Sequence, residues 1–236
     1  MHEPEPISIA AFQKLIGNTN WQDATGTEKI LPGDIVTVQG GERGPLNWLI
    51  GHVQSRCLRD LDPSLSKQKA DELARYTHTA VVLDAGMLIE NYAPRVRCRD
   101  WSALAGKTIT IHRPIHQLLP NSKILLSAIT LDRYYSERVR TITGIDLARG
   151  YGYSVKDLLF FWFAWYRKTW LAKRFAEVFR ERGKDFCTAT VVAWWRAAGC
   201  DLFPGEQLEA VYPARILLNQ NHQFDLIGHY TLEPSR

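Results

Sequence analysis

The sequence predicts an α+β domain, because short strand-like runs gather in its first half and long helical patterns in its second. Of its 236 residues, 45% are hydrophobic and 23% are charged, which is typical of a globular protein with a sizeable core. The chain contains no internal repeat and no low-complexity tract. We therefore expect residues 1–236 to form a single domain.

The first half alternates between helical and strand-like segments. A short helix is expected around Ile9–Ile16, and after a polar loop the turn residues of "LPGD" lead into a strand over Asp34–Val38. The runs "NWLIGHVQSR" and "PSLSKQKADELARY" predict two helices, with Ser64 or Ser66 as the N-cap of the second. Two later β-rich runs are expected to be strands: Arg95–Arg99 and Lys107–Ile111.

Two β-rich runs, "YTHTAVVL" and "MLIENY", predict a β-hairpin around residues 84–86. The loop residues Asp-Ala-Gly suit a type I turn followed by a glycine in the left-handed conformation. In that register Ala80 pairs with Glu90, so His78 and Glu90 share one face of the hairpin as diagonal neighbours. A loop of two or four residues would place them on opposite faces.

The second half is predominantly helical. Helical patterns cover "SKILLSAITLDRYYSERVR", the aromatic-rich segment Val155–Arg182 and the stretch that follows Cys187. The three glycines of "GIDLARGYGYS" predict a loop between the first two of these helices. Gly199 is expected to end the last helix, and Asp185 is a candidate for its N-cap.

Cys187 stands at the start of a predicted helix in "DFCTATVVAWWRAAGC". A thiol in the first turn lies beside unpaired backbone N–H groups and the positive end of the helix dipole, which both favour a thiolate. The alternative is a packing residue, because free cysteines are among the most buried residues. Cys57, Cys98 and Cys200 lack metal-ligand spacing and are expected to be independent structural thiols.

A thiol nucleophile needs a base and a third polar group that orients the base. His78 and Glu90 are the candidates for these roles, and the alternative is an edge histidine beside a solvated carboxylate. His52 is a competing base, but its neighbours indicate a helix. His112 and His116 have the spacing of zinc ligands on a helix, but the proline between them prevents a regular turn. We therefore expect no metal site there, and acyl transfer by a thiolate beside an imidazolium requires no metal and no cofactor.

The order of these motifs resembles the circularly permuted branch of the NlpC-like papain fold, which includes the YiiX-type and lecithin retinol acyltransferase groups. The resemblance covers residues 31–195. The matched positions, in chain order, are Pro32-Gly33-Asp34, Tyr76-Thr77-His78, Glu90, Tyr153 and Cys187. The chain departs from the pattern at Thr77, Asn91 and Thr188, where Ser, Ala and Ser are usual.

The resemblance implies both a fold and a set of catalytic roles. The fold is a permuted papain-like domain in which a small antiparallel sheet packs against helices, with a helical insertion at residues 120–150. Cys187 would be the nucleophile, His78 the general base and then general acid, and Glu90 the group that orients His78. The oxyanion would be held by the backbone N–H of Cys187 and by the hydroxyl of Tyr153.

The activity that the resemblance implies is that of a thiol hydrolase on an amide bond, foremost in the peptide stems of peptidoglycan. Such a cysteine peptidase could serve as a secreted antibacterial effector, and its expected partner would then be a cognate immunity protein. Two alternatives stay open. One is a lipid acyl hydrolase or acyltransferase of the same branch, and the other is a non-catalytic binding module.

Charge and hydropathy bear on partners and location. The net charge of +4 falls short of a nucleic-acid-binding signature. The start "MHEPEPISIA" lacks the basic and apolar regions of a signal peptide, so we expect the protein to be cytoplasmic as made. Either a specialised secretion system delivers it to a wall substrate in the periplasm, or it acts on a cytosolic amide such as recycled wall peptides. The run "LLFFWFAWY" is too short to span a membrane. The basic, aromatic Val155–Arg182 helix either covers the core or makes a peripheral membrane contact.

Overall fold

The computed structural model describes residues 3–16, 30–40, 45–92, 94–115, 128–150, 152–153, 184–185, 187–206, 211–219 and 223–234. Over these residues the chain has an α+β fold, as predicted. Within this described part, no helix is both long enough and apolar enough to cross a membrane. The aromatic segment Val155–Arg182 lies outside the described residues.

The described strands form one mixed sheet. They are β1 (Glu5–Ser8), β2 (Ile35–Gln39), β3 (Tyr76–Val82), β4 (Met87–Tyr92), β5 (Arg95–Asp100), β6 (Thr108–Pro114), β7 (Gly152–Tyr153), β8 (Lys184–Asp185) and β9 (Phe224–Glu233). Their order across the sheet is β1-β9-β6-β2-β3-β4-β5-β7-β8. Neighbours from β9 to β7 are antiparallel, whereas the outer pairs β1–β9 and β7–β8 are parallel. The predicted small antiparallel sheet is therefore correct at the centre, but the whole sheet is larger and mixed.

The described helices flank this sheet. They are α1 (Ile9–Gln13), α2 (Pro45–Leu61), α3 (Lys67–Leu73), α4 (Ala128–Arg149), α5 (Cys187–Ala198) and α6 (Pro213–Leu218). Ser66 is the N-cap of α3, because its Oγ accepts the backbone N–H of Lys69 at 3.2 Å. The other candidate, Ser64, instead hydrogen-bonds to Asp62.

Helix α4 corrects the predicted loop over "GIDLARGYGYS". The helix runs through Gly144 to Arg149, and the chain turns only at Gly150, which has a φ of 66°. The extension is held because Asp146 accepts the indole N–H of Trp194 in α5 at 2.7 Å, and Val139, earlier in the same helix, is buried in the core. The described part of the predicted 120–150 insertion is thus helical and packs against α5.

The two faces of the sheet bury different hydrophobic clusters. One face packs against α5 through residues that include Ile35, Val81, Ile89 and Val96. The opposite face carries Val36, Val82 and Leu88, which pack with Phe12, Trp101 and Tyr230. A third cluster joins α2 and α3 through residues that include Val53, Leu58 and Leu73. The start of β3 and the end of β4 therefore lie where α5 begins, and this is where the candidate site is found.

Candidate active site

The β3–β4 hairpin has the predicted register. Ala80 pairs with Glu90, and on the shared face Nε2 of His78 lies 2.7 Å from Oε2 of Glu90. The predicted left-handed glycine is wrong, because Gly86 does not have a positive φ. Instead, the side chain of Asp84 accepts the backbone N–H groups of Gly86 and Met87, each at 2.8 Å. This Asx-type turn keeps the three-residue loop length, and loop length is what sets the register.

The thiol of Cys187 meets His78 at the first residue of α5. Cys187 is 5% exposed, and its sulfur lies close enough to the imidazole of His78 and to the backbone N–H of Thr79 for both groups to lower its pKa. The sulfur also lies 3.9 Å from Oγ1 of Thr188. Because Nε2 of His78 is taken by Glu90, Nδ1 is the ring nitrogen that remains for the sulfur. The structure therefore brings together the three side chains that the sequence singled out.

The strand pairing explains why the N–H of Thr79 can reach the sulfur. The backbone N–H of Val82 donates to the carbonyl of Asp34, which precedes β2, so the backbone N–H groups of even-numbered residues in β3 point towards β2. Thr79, an odd-numbered residue, directs its N–H towards β4. The β3–β4 ladder stops at the pair Ala80–Glu90, so no β4 residue is paired with Thr79.

The electrostatics of the site favour a thiolate–imidazolium pair. Burial alone would raise the pKa of Cys187, but the charge and hydrogen bond of His78 outweigh it and lower that pKa. Burial alone would lower the pKa of His78, yet Cys187 and Glu90 together raise it to about 9. Each group thus stabilises the charged form of the other, and such pairing activates cysteine nucleophiles.

Glu90 is a buried, fully engaged carboxylate, so the alternative of a solvated charge is wrong. Its side chain is 0% exposed, and its Oε1 accepts hydrogen bonds from Arg97 at 2.8 Å and from Arg99 at 3.2 Å. Burial opposes ionisation, but His78 and the two arginines prevail and lower the pKa of Glu90 to about 2. Glu90 is therefore ionised at neutral pH and held in one orientation behind His78.

The contacts that Tyr92, Arg97 and Arg99 make around the site were not predicted from the sequence, although the hairpin register places Tyr92 on the face of His78 and Glu90. The Tyr92 ring meets the His78 ring edge-on at 5.5 Å, and the Arg97 guanidinium lies 4.2 Å from the centre of the Tyr92 ring. A signal was available in the alternation of arginines along "RVRCRD", which places residues 95, 97 and 99 on one face. Its use required the β4–β5 register, in which Glu90 lies opposite Arg97.

A buried polar clamp fixes the first turns of α5 against the sheet. Oγ1 of Thr188 lies 3.0 Å from Oγ1 of Thr79 on β3. The side-chain amide of Asn91 on β4 donates to Oγ1 of Thr190 at 2.7 Å and to the carbonyl of Gly152 at 3.2 Å. Asn91 and Thr188 are two of the departures from the family pattern, so the departures themselves help to position Cys187.

The Pro-Gly-Asp motif at the start of β2 has a structural role. Gly33 has a φ of 95°, a left-handed conformation that glycine adopts without strain. The carboxylate of Asp34 accepts two hydrogen bonds from Arg113 near the end of β6, at 2.9 and 2.8 Å. It also accepts the backbone N–H of Leu31 at 2.8 Å. The motif thus anchors the strand that supports β3.

Tyr153 and Asp185 are placed only by their backbones. They pair with each other in the parallel β7–β8 ladder, two residues before Cys187. The side chain of Tyr153 lies outside the described part, so its oxyanion role stays a prediction. Helix α5 begins at Cys187, so Asp185 precedes the cap position by one residue. The predicted end of the helix is confirmed, because Gly199 has a φ of 103°.

The competing histidines and cysteines lie elsewhere. His52 is in α2, as predicted, and its ring stacks on Trp48 with centres 5.4 Å apart. His112 is buried in β6, where burial and His229 lower its pKa to about 3, and His116 lies outside the described residues. Among described residues, no cluster of three His, Cys, Asp or Glu could hold a metal ion. Cys57, Cys98 and Cys200 are free thiols whose pKa values are raised by burial.

The site therefore consists of a thiol at a helix N-terminus, an imidazole that it touches, and a buried carboxylate behind the imidazole. Cys187, His78 and Glu90 come from α5, β3 and β4. Such an arrangement can form a thiolate at neutral pH, attack a carbonyl and pass a proton to a leaving group. Compared with known proteins, the chain matches no family model, no curated protein and no solved structure.

Proposed function

We propose that the protein is a thiol hydrolase that cleaves an amide bond with Cys187, His78 and Glu90. The observation that carries the proposal is the hydrogen-bonded series from the Cys187 sulfur through the His78 ring to the Glu90 carboxylate. A purely structural thiol does not need a lowered pKa, and a purely structural histidine does not need a buried carboxylate behind it. The fold that would host this series is the permuted papain-like fold.

In the acylation step, the Cys187 thiolate attacks the carbonyl carbon of the substrate. The new C–S bond moves an electron pair onto the carbonyl oxygen, where N–H groups in the first turn of α5 lack an intrahelical acceptor and can donate to it. When the tetrahedral intermediate collapses, the C–N bond breaks and the His78 imidazolium gives its proton to the departing amine. The products of this step are a thioester on Cys187, a neutral His78 and a free amine.

In the deacylation step, water completes the hydrolysis. Neutral His78 accepts a proton from water as the oxygen attacks the thioester carbonyl. Collapse of the second intermediate breaks the C–S bond, releases the carboxylic acid and returns Cys187 to the thiolate. Glu90 stays ionised throughout, since its pKa is about 2, and it stabilises the imidazolium in both steps.

The substrate that the family resemblance implies is the peptide stem of peptidoglycan, with an antibacterial effector as the biological setting. An export route and an immunity protein belong to the same proposal. The same nucleophile could also open an ester, as in the lipid-acyl branch of the family. The same thiolate would attack the carbonyl carbon of an amide or of an ester, so only the identity of the reaction products can distinguish the amide hydrolase from the lipid acyl hydrolase.

The proposal is tested by comparing wild-type protein with Cys187→Ala on purified muropeptides and on phospholipid vesicles, with products identified by mass spectrometry. Cys200→Ala is the matched control, because this thiol sits beyond the end of the same helix. Release of stem-peptide fragments by wild type and Cys200→Ala, but not by Cys187→Ala, supports the amide hydrolase. Cysteine-dependent release of fatty acid selects the lipid alternative. Inertness of all three proteins on both substrates overturns the enzymatic proposal and favours a binding module.

A further inference from the structure

A cavity of about 690 Å³ opens beside the strand that carries His78. Its lining comes from α2, from α3 and the residues that follow it, from the end of β2 and from the start of β3. Thr77 lines it directly and precedes His78, while Gln39 follows Val38, the residue that pairs with His78. Cys187, His78 and Glu90 do not line the cavity, which therefore lies next to the catalytic groups along β3 and not around them. Such a neighbouring cavity is suited to a part of the substrate that extends beyond the scissile bond.

The lining of this cavity is strongly cationic. Arg56 and Arg59 belong to α2, where a spacing of three residues places them on one face. Lys67 is the first residue of α3, and Arg75 lies two residues after the end of that helix. Asp71 is the one carboxylate among the described residues of the lining, and it already accepts a hydrogen bond from Ser55. The lining therefore carries four basic side chains and one carboxylate, and this excess of basic groups concentrates positive potential there.

The cavity lining also includes an aromatic surface. Trp48 is 59% exposed although it is a large hydrophobic side chain, and its ring lies parallel to that of His52, with an interplanar angle of 15°. A side chain at Gly40 would collide with that of Thr77, so glycine is needed where the two strands approach each other. The lining thus combines basic side chains with an exposed aromatic ring.

We propose that this cavity binds an anionic group of the substrate, either a phosphate or a carboxylate. That the ligand is a substrate rests on the proposed hydrolase function. The new element is that this substrate carries an anionic group. Guanidinium groups pair with both oxyanions through two parallel hydrogen bonds, and an ammonium adds a point charge to the same site. The anionic group lies on the side of the scissile bond that faces α2 and α3.

The test measures anion binding to the Cys187→Ala protein, so that its result does not depend on whether the protein hydrolyses a substrate. The probes are inorganic phosphate and succinate, titrated at low ionic strength, with the indole N–H signal of Trp48 in NMR spectra as the readout. The signal is assigned with Trp48→Phe. The pocket variant carries Arg59→Gln and Arg75→Gln. The matched control carries Lys14→Gln and Arg149→Gln, which remove the same charge from exposed positions outside the cavity lining.

We expect saturable binding of at least one probe by the control protein, and a dissociation constant raised about tenfold or more in the pocket variant. The probe that binds more tightly identifies the anion as phosphate or carboxylate. Equal affinities of the pocket variant and the control, or the absence of saturation with both probes, would overturn the proposal. Thermal unfolding of each variant shows whether the comparison is made between folded proteins. If binding behaves as expected while no substrate is hydrolysed, the proposed function fails and the anion site stands.

Discussion

Nε2 of His78 lies 2.7 Å from Oε2 of Glu90, and this hydrogen bond leaves Nδ1 of His78 to face the sulfur of Cys187. The three groups come from three different elements, so their meeting depends on the hairpin register and on the seating of α5. Each link of this series can be tested separately, because each depends on a different physical interaction.

Alkylation should distinguish Cys187 from the other thiols without any substrate. At pH 7 we expect iodoacetamide to modify Cys187 first, because His78 lowers its pKa, whereas burial raises that of Cys57 to about 12 and that of Cys200 to about 11. Peptide mass mapping over time measures the order. In His78→Gln the preference should disappear. Modification of the other cysteines ahead of Cys187 in wild-type protein would contradict the thiolate assignment.

Hydrolysis should show a bell-shaped dependence on pH. The acid limb reports protonation of the Cys187 thiolate, and it should lie below the ordinary thiol range because that pKa is lowered. The alkaline limb reports loss of the His78 proton, whose pKa is raised to about 9, so activity should fall as the pH rises through about 9. Initial rates between pH 4 and about 10.5 measure both limbs. An alkaline limb centred near the ordinary histidine pKa would show that the imidazolium is not stabilised.

Glu90→Gln should keep the shape of the site but remove its charge. Because Glu90 raises the pKa of His78, the alkaline limb should move to lower pH, and the rate should fall roughly 10²–10⁴-fold, as when a carboxylate behind a catalytic histidine is neutralised. Glu72→Gln is the control, since Glu72 lies on α3 and forms an ion pair with Lys69 at 3.0 Å. A rate loss without any shift of the alkaline limb would assign Glu90 a merely structural role.

Glu90 should also make stability depend on pH in the acid range. Its folded-state pKa is lowered from 4.5 to about 2, so the contribution of the ionised carboxylate is present above pH 4.5 and is lost as the pH falls towards 2. The shift corresponds to about 3 kcal/mol at most. Urea unfolding of wild type and Glu90→Gln at several pH values measures it: the difference in unfolding free energy should shrink between pH 5 and pH 2. A constant difference would contradict the low pKa.

Local sequence patterns predicted the strands and the helix that carry the site residues. The features that were not predicted depend on strand pairing between segments that are far apart in the sequence. The hairpin register was predicted correctly because it depends on the number of loop residues, which is three. The predicted turn type was wrong, but it did not change that number. Strand β9 was not predicted, because it is recognised mainly through pairing with β6, more than 100 residues earlier in the chain. Likewise, the partners of Glu90 on β5 depend on a register between strands, which no single stretch of sequence contains.

The threonine pair between β3 and α5 should position Cys187 as well as stabilise the fold. Thr188→Val keeps the side-chain volume but removes a hydroxyl that pairs with Thr79 and also lies 3.9 Å from the Cys187 sulfur, where it lowers the pKa of the thiol. We therefore expect a loss of about 1 kcal/mol in unfolding free energy and a slower alkylation of Cys187. Thr231→Val is the matched control, because Thr231 forms a similar pair with Thr108 at 3.1 Å, between β9 and β6. The control should lose stability without changing the reactivity of Cys187. Equal alkylation rates in both variants would show that the pair does not position the thiol.

The contact between Asp146 and Trp194 tests whether the predicted insertion is an integral support of the catalytic helix. Trp194 is 1% exposed, so Asp146→Ala would leave its indole N–H buried without the acceptor that now lies at 2.7 Å. An unsatisfied buried donor costs about 1–3 kcal/mol, and the loss should appear in urea unfolding as a lower midpoint with an unchanged slope. Asp146→Asn retains an acceptor oxygen and should lose less. A separate early transition in Asp146→Ala would instead show that α4 unfolds independently of α5, and α4 would then not support the helix that begins at Cys187.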